Sequence, residues 1–218
     1  MPVQARPESL PAKLFLLAHD PEKGRARGQD LGHLLRGAVL ADLSLRGCLS
    51  DDDGKVRVTG TKRTGDRLLD NALREMDEDT ERSWRAWIRR GNRRIVGEVR
   101  DQLAADGLIR LRDKRFLGLF RYRQVIVADP EQLRELRTRL RSTLSGTKPA
   151  KDVERSDAAL VALAAAAKLR TVLSNQDRRE YRDRIETLSD RAGEVIPALR
   201  KVLAQVRAAR AAAYASGG

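Results

Sequence analysis

A single cysteine, two histidines and 4% aromatic side chains are all that these 218 residues carry of those types. Each scarcity excludes something. Cys48 has no partner for an intramolecular disulfide, which fits a reducing cytoplasm. His19 and His33, with one thiol, fall short of the roughly four ligands that a zinc site needs, so no metal is expected. A core with so few rings must be built from Leu, Val, Ile and Ala, a composition that favours helices over sheets. No apolar run reaches the ~18–20 residues that cross a bilayer. The opening stretch, Met1 to Leu10, carries Pro2 and Pro7 and lacks a signal-peptide core. Any membrane contact is therefore predicted to be peripheral, on the cytoplasmic face.

Catalytic patterns are missing as well. The chain has no GxxxxGKS/T phosphate loop, no GxGxxG and no GxSxG. Gly24–Gly32 holds several glycines, but without a preceding strand or the required spacing. Asp42, Asp66 and Asp70 are candidates for a carboxylate pair, yet helical acids are usually caps or ion-pair partners. The sequence predicts neither an enzyme nor a cofactor.

What is abundant is positive charge: 44 Lys and Arg against 31 Asp and Glu, a formal net charge of +13. Such a chain is drawn to polyanions, whether acidic lipid, nucleic acid or acidic protein. The cations are mostly Arg, whose planar fork grips phosphate at two points where Lys is a point charge. A GC-rich genome also favours Arg and Ala codons.

Periodicity predicts a mainly α fold, a compact bundle with amphipathic helices around it and one small β-hairpin. The length suits one domain, 1–218, with residues 1–8 and 214–218 as flexible ends. A short helix is expected over Ser9–Ala18, followed by a polar loop from Asp20 to Gly28. Gln29–Arg46 reads as the central helix, because it is apolar most of the way round. The alternating KVRVT run predicts a strand at Lys55–Thr59 after a turn at Asp51–Gly54. Helices follow at Thr64–Met76, then one capped by Asp79 or Thr80 that carries Trp84, Trp87 and Ile88. Gly91-Asn92 reads as a stop and restart, with Asn92 capping a helix over Arg93–Asp106. Strands at Leu108–Arg112 and Phe116–Val127 flank a turn at Asp113-Lys114. Asp129-Pro130 opens a helix to Leu144, Thr147–Lys151 is a linker, and three helices follow at Ser156–Leu173, Gln176–Leu188 and Gly193–Tyr214.

Arginines in awkward places are the functional signal. Arg36 lies inside LLRGAVLADL, on the most buried helix. It must either pair with an acid such as Asp42 or Asp66, or open onto a pocket that holds an anion. Arg93 and Arg94, placed at a helix N-terminus, either bind an anion with the free N–H groups there or are solvated. Arg82, Arg85 and Arg89 share one face of their helix, with Trp84 and Trp87 on the core side. The FLGLF run, Phe116–Phe120, sits among Lys114, Arg115 and Arg121. Exposed, it would wedge into headgroups; folded back, it is a core strand.

Several segments together resemble the Golgi phosphoprotein 3 family. They are LPAKLFLLAHD (Leu10–Asp20), LLRGAVLADLSLRGCL (Leu34–Leu49), TGDRLLDNAL (Thr64–Leu73) and VRDQLAADGLIRLRDKRFLGLF (Val99–Phe120), in the family's order. The resemblance covers Leu10 to about Leu144. It implies a mainly helical domain with one hairpin. Eukaryotic members bind phosphatidylinositol 4-phosphate on Golgi membranes and hold glycosyltransferases by their cytoplasmic tails. Their headgroup pocket uses a Trp, an Arg on the central helix and two Arg three residues apart. Carried over, the central Arg is Arg36 and the first of the pair is Arg93. Val96 stands in place of the second, leaving Arg94 or Arg90 as substitutes, and the Trp position falls near Arg27. The hairpin residues become Phe116, Leu117, Leu119 and Phe120, for membrane insertion or self-association. The composition suggests a bacterial, actinobacterial member.

The resulting expectation is a peripheral adaptor for anionic phospholipid. Arg36, Arg93, Arg94, Arg90 and Arg27 would bind the headgroup, and tails of membrane proteins or further copies of the chain would be its protein partners. The alternatives are a winged-helix-like nucleic-acid binder built on Arg93–Asp106 and the hairpin, and an oligomeric scaffold. Nucleic acid is the less favoured, since Asp101 and Asp106 would repel phosphate.

Overall fold

The computed structural model describes residues 7–20, 25–26, 30–60, 63–79, 82–116 and 120–216. Among them the fold is mainly α, with ten helices and a few short antiparallel strands. The layout follows from α2 (Leu31–Leu45), which buries eleven of its 15 residues. Leu34, Leu35, Ala38, Val39, Leu40 and Leu43 are all within 1% of complete burial, so α2 is a central post that others must surround. Against it pack α1 (Leu10–Ala18), α4 (Trp84–Arg89), α5 (Ile95–Ala105), α7 (Arg155–Ala166) and α10 (Val195–Ser216). Alanines 158, 159, 162 and 164 of α7 are fully buried, small enough for close helix approach. On α10, Leu199 comes so near Gly37 that a Cβ there would lie 3.2 Å from its methyl group.

The remaining elements frame this post. β1 (His19–Asp20) pairs with β2 (Arg25–Ala26), and β3 (Leu49–Asp52) pairs with β4 (Lys55–Val58). β5 (Arg82–Ser83) adds to β4 across residues 55–56. Cys48, 2% exposed, sits at the corner between α2 and β3, its N–H donating to the Leu43 carbonyl. α3 (Arg67–Asp77) starts where the Asp66 carboxylate accepts from the N–H groups of Leu68 and Leu69. The buried Asp42 carboxylate of α2 accepts from the Leu10 N–H at 2.6 Å and from Arg46 Nε at 2.7 Å. It thereby caps α1, whose own N-cap residue, Ser9, makes no side-chain cap.

Several sequence expectations needed correction. β6 (Ile109–Phe116) and β7 (Phe120–Val127) form one unbroken ladder from Ile109↔Val127 to Phe116↔Phe120, so Asp113 and Lys114 are strand residues rather than a turn. Phe116 ends the first strand instead of opening the second. α6 (Pro130–Ser145) begins as expected, the Asp129 carboxylate capping Glu131 and Gln132. α7 stops at Ala166 because Lys168 takes a positive φ of 54°, letting Leu169 N–H reach the Ala164 carbonyl. The next expected helix is two, α8 (Asn175–Glu180) and α9 (Arg182–Asp190), broken at Tyr181. Ser83, not Asp79 or Thr80, caps α4, so Arg82 is a strand residue and does not share a helix face with Arg85 and Arg89.

Candidate functional site

Arg36 is 2% exposed, and burial pushes its guanidinium below its usual pKa, although an arginine stays charged. Its ion-pair partner is neither Asp42 nor Asp66 but Glu75 of α3, with Nη1 at 3.3 Å from Oε2. Its Nε donates to the Trp87 carbonyl at 3.4 Å, and its buried Nη2 has no hydrogen-bond partner among the described residues. Above it runs the connection between α4 and α5, residues 90–94. A Cβ built at Gly91 would lie 3.9 Å from Arg36 Cζ and 4.0 Å from Arg94 Nη2.

Two arginines of that connection converge on the same carboxylate. Arg90 Nε lies 2.8 Å from Glu75 Oε1, and Arg94 Nη2 lies 3.9 Å from Oε2. Arg90 also holds Asp79 and stacks over the Trp87 ring at 5.6 Å. Arg94 reaches Glu98 at 2.7 Å. Arg93 is exposed and makes no ion pair among the described residues. Burial raises the Glu75 carboxyl, but the Arg90 hydrogen bond and the charges of Arg36, Arg90 and Arg94 outweigh it and hold the group below the usual carboxylate range. Arginines 36, 82, 90 and 94 thus meet carboxylates 75, 79 and 98, and with the exposed Arg93 beside them the neighbourhood is cationic.

The connection is held in place by its own backbone. Gly32, in the first turn of α2, is where it lands: a Cβ there would fall 1.8 Å from the Asn92 carbonyl oxygen. The Asn92 amide meets His33 Nε2 at 2.6 Å. Burial keeps that imidazole below its usual pKa against the pull of Asp30, so the neutral ring can accept the bond. Asn92 is therefore not a helix cap. Arg94 occupies the N-cap position of α5 without a capping side chain, so Arg93 and Arg94 precede the helix.

Of the expected headgroup residues, Arg36, Arg90 and Arg94 meet at one carboxylate, Arg93 stands on the same connection, and Arg27 lies outside the described residues. Leu117 and Leu119 also lie outside them, as do the side chains of Phe116 and Phe120. Trp84 and Trp87 are buried at 5% and 1%. Glu75 went unnoticed in the sequence. It stands seven residues after Leu68 and three after Ala72, on the margin of α3's apolar stripe, and an acid there is a signal for an inward-facing partner. Elsewhere, a groove of about 840 Å³ runs past Arg46, Asp66 and Gln102. Within its polar lining, Arg46 is bonded to Asp42 and Gln102 to Asp66.

The family model for Golgi phosphoprotein 3 matches residues 10–206, nearly the whole described chain. The chain belongs to the Golgi phosphoprotein 3 family. No curated protein matches it. For this family member, no helix among the described residues is long and apolar enough to cross a membrane. No group of three or more His, Cys, Asp or Glu among them could hold a metal ion.

Proposed function

We propose that this Golgi phosphoprotein 3 family member is a non-enzymatic peripheral adaptor that docks on anionic phospholipid, with a phosphatidylinositol 4-phosphate-like headgroup phosphate at the Arg36–Arg90–Arg94 cluster. Arg93 adds charge at the rim, and Arg27, outside the described residues, is included by resemblance to the family. The observation that carries this is Arg36 itself: a buried guanidinium whose Nη2 has no partner among the described residues, beneath the exposed Arg90 and Arg94. A buried donor without a partner is a cost that a phosphate oxygen removes. The hairpin residues Phe116, Leu117, Leu119 and Phe120 rest against the bilayer or against a second copy, while tails of membrane proteins are the cargo on the cytoplasmic face. Nucleic acid fits less well, because α5 carries Glu98 and Asp101, both engaged with neighbouring arginines.

Arg90→Ala combined with Arg94→Ala tests the reading without emptying the core. Surface arginines near an anionic bilayer contribute ~1 kcal/mol each, so the pair is expected to weaken binding to vesicles containing phosphatidylinositol 4-phosphate by roughly thirtyfold. Sedimentation is the readout, with circular dichroism to show unchanged helicity. Binding equal to that of the parent protein rejects this site.

A further inference from the structure

α10 runs antiparallel to α2. Leu199 lies against Gly37, and further along Arg207 and Arg210 both reach the carboxylate of Asp30, the N-cap residue of α2, at 2.9 and 2.7 Å. The helix then passes the end of α2 and continues over residues 211–216. At 1.5 Å per residue, that carries it roughly 9 Å beyond the level of Arg210. Residues 211–215 are all exposed, so this arm stands clear of the core. It bears Tyr214, whose 82% exposure is the largest of any large hydrophobic side chain among the described residues. Tyr214 follows Arg210 by four positions and Arg207 by seven, so it shares their helical face. The arm lies beyond residue 206, where the stretch shared with the family ends.

The end of α2 that the arm overshoots is also the end that carries the 90–94 connection. Gly32 receives the Asn92 carbonyl there, His33 meets the Asn92 amide, and Arg89, just before the connection, bonds Gln205 of α10. The arm and the arginine cluster thus leave the molecule on one side.

We propose that the arm is a further membrane contact, which lays the Tyr214 ring into the headgroup layer beside the arginine cluster. This rests on the docking reading above, which places a bilayer over that side. The chemistry of the arm suits a lipid surface. Tyrosine has an apolar ring and a polar tip, and it settles where one end is dry and the other wet. α10 holds Arg200, Lys201, Arg207 and Arg210 and no acid, so nothing on it repels anionic lipid. Alanine, the best helix former, lets the arm project without a packed face. A second copy of the chain fits less well. One ring of about 150–250 Å² among alanines falls far short of the ~800 Å² per partner that a stable interface buries.

The test uses vesicles of phosphatidylcholine carrying phosphatidylinositol 4-phosphate, with the parent protein, Tyr214→Ser and Tyr214→Trp. Tyr214→Ser is expected to bind about fivefold more weakly, with an unchanged thermal melt. Tyr214→Trp is expected to bind like the parent, and its added emission should shift to the blue and be quenched when the phosphatidylcholine chains are brominated. Trp84 and Trp87 are buried, and the parent protein supplies their baseline. If the proteins bind but the added indole is not quenched, or Tyr214→Ser binds like the parent, the arm contact is overturned and docking survives. If none of the three binds, docking and the arm contact fall together. Light scattering without lipid covers the rival: a concentration-dependent mass that disappears on removal of residues 211–218 makes the arm a contact between copies and overturns the proposal. A lower melt for Tyr214→Ser also overturns it, because the ring would then belong to the fold.

Discussion

Gly32→Ala is expected to lower the melting temperature by roughly 6–12 °C and to weaken vesicle binding at least about tenfold. In an ordinary helix this substitution is favourable, because alanine has the higher helical propensity. Here the added carbon would lie 1.8 Å from the Asn92 carbonyl oxygen and 2.7 Å from its carbonyl carbon. Both are backbone atoms, so no side chain can swing aside. The 90–94 connection has to lift off α2, at a cost near the ~3 kcal/mol upper range for overpacking. For a domain of this size each kcal/mol corresponds to ~2–4 °C. Lifting the connection also carries Arg90 and Arg94 away from Arg36. Gly97→Ala is the matched control. Gly97 lies within α5, and its added carbon meets only the flexible end of Arg100 at 3.9 Å. It should gain ~0.5–1 kcal/mol and leave binding untouched. Equal effects at the two glycines would refute the steric argument.

The second large effect is expected at Asp42. Asp42→Ala removes the acceptor of the Leu10 N–H and leaves that donor buried at the start of α1. A hydrogen bond to an ionised group contributes ~1.5–3 kcal/mol, and a negative charge at a partly buried helix N-terminus adds up to ~2. The pair with Arg46 adds little, since that arginine is more than one-third exposed. A loss of ~3 kcal/mol in urea unfolding is anticipated, with an unchanged denaturant slope. Asp42→Asn keeps an acceptor oxygen and should lose less than half as much. If the two variants are equally unstable, charge rather than the cap is what Asp42 supplies.

The central helix and the start of α6 were legible because they rest on local signals. LLRGAVLADLSL has almost no polar face, and Asp129-Pro130 is a start sequence whatever surrounds it. Arg36 stood out for the same reason, a charge on an apolar helix. Its partner did not, because Glu75 is 39 residues away and the pairing depends on how α3 packs. Asn92 misled for the opposite reason. It follows a glycine and precedes a helix, yet its amide is claimed by His33, 59 residues earlier in the chain. Lys168 adopts a left-handed conformation usually filled by glycine, so the end of α7 had no letter to announce it. The hairpin turn was misjudged because Asp113 and Lys114 carry turn-like side chains, while the ladder continues through them.

The lone thiol gives this molecule a built-in gauge of its own breathing. Burial pushes Cys48 above its ordinary pKa against the pull of Arg46, with the carboxylates of Asp70 and Asp42 acting in the same direction as burial. In the closed state a thiol-modifying reagent therefore meets neither surface nor thiolate. Its rate of reaction at fixed pH reports how often the corner between α2 and β3 comes apart. Asp42→Ala, which frees Arg46 beside that corner, should speed the labelling several-fold, whereas Gly97→Ala, set in a different helix, should not. No engineered tag is needed to follow the difference, with or without vesicles present.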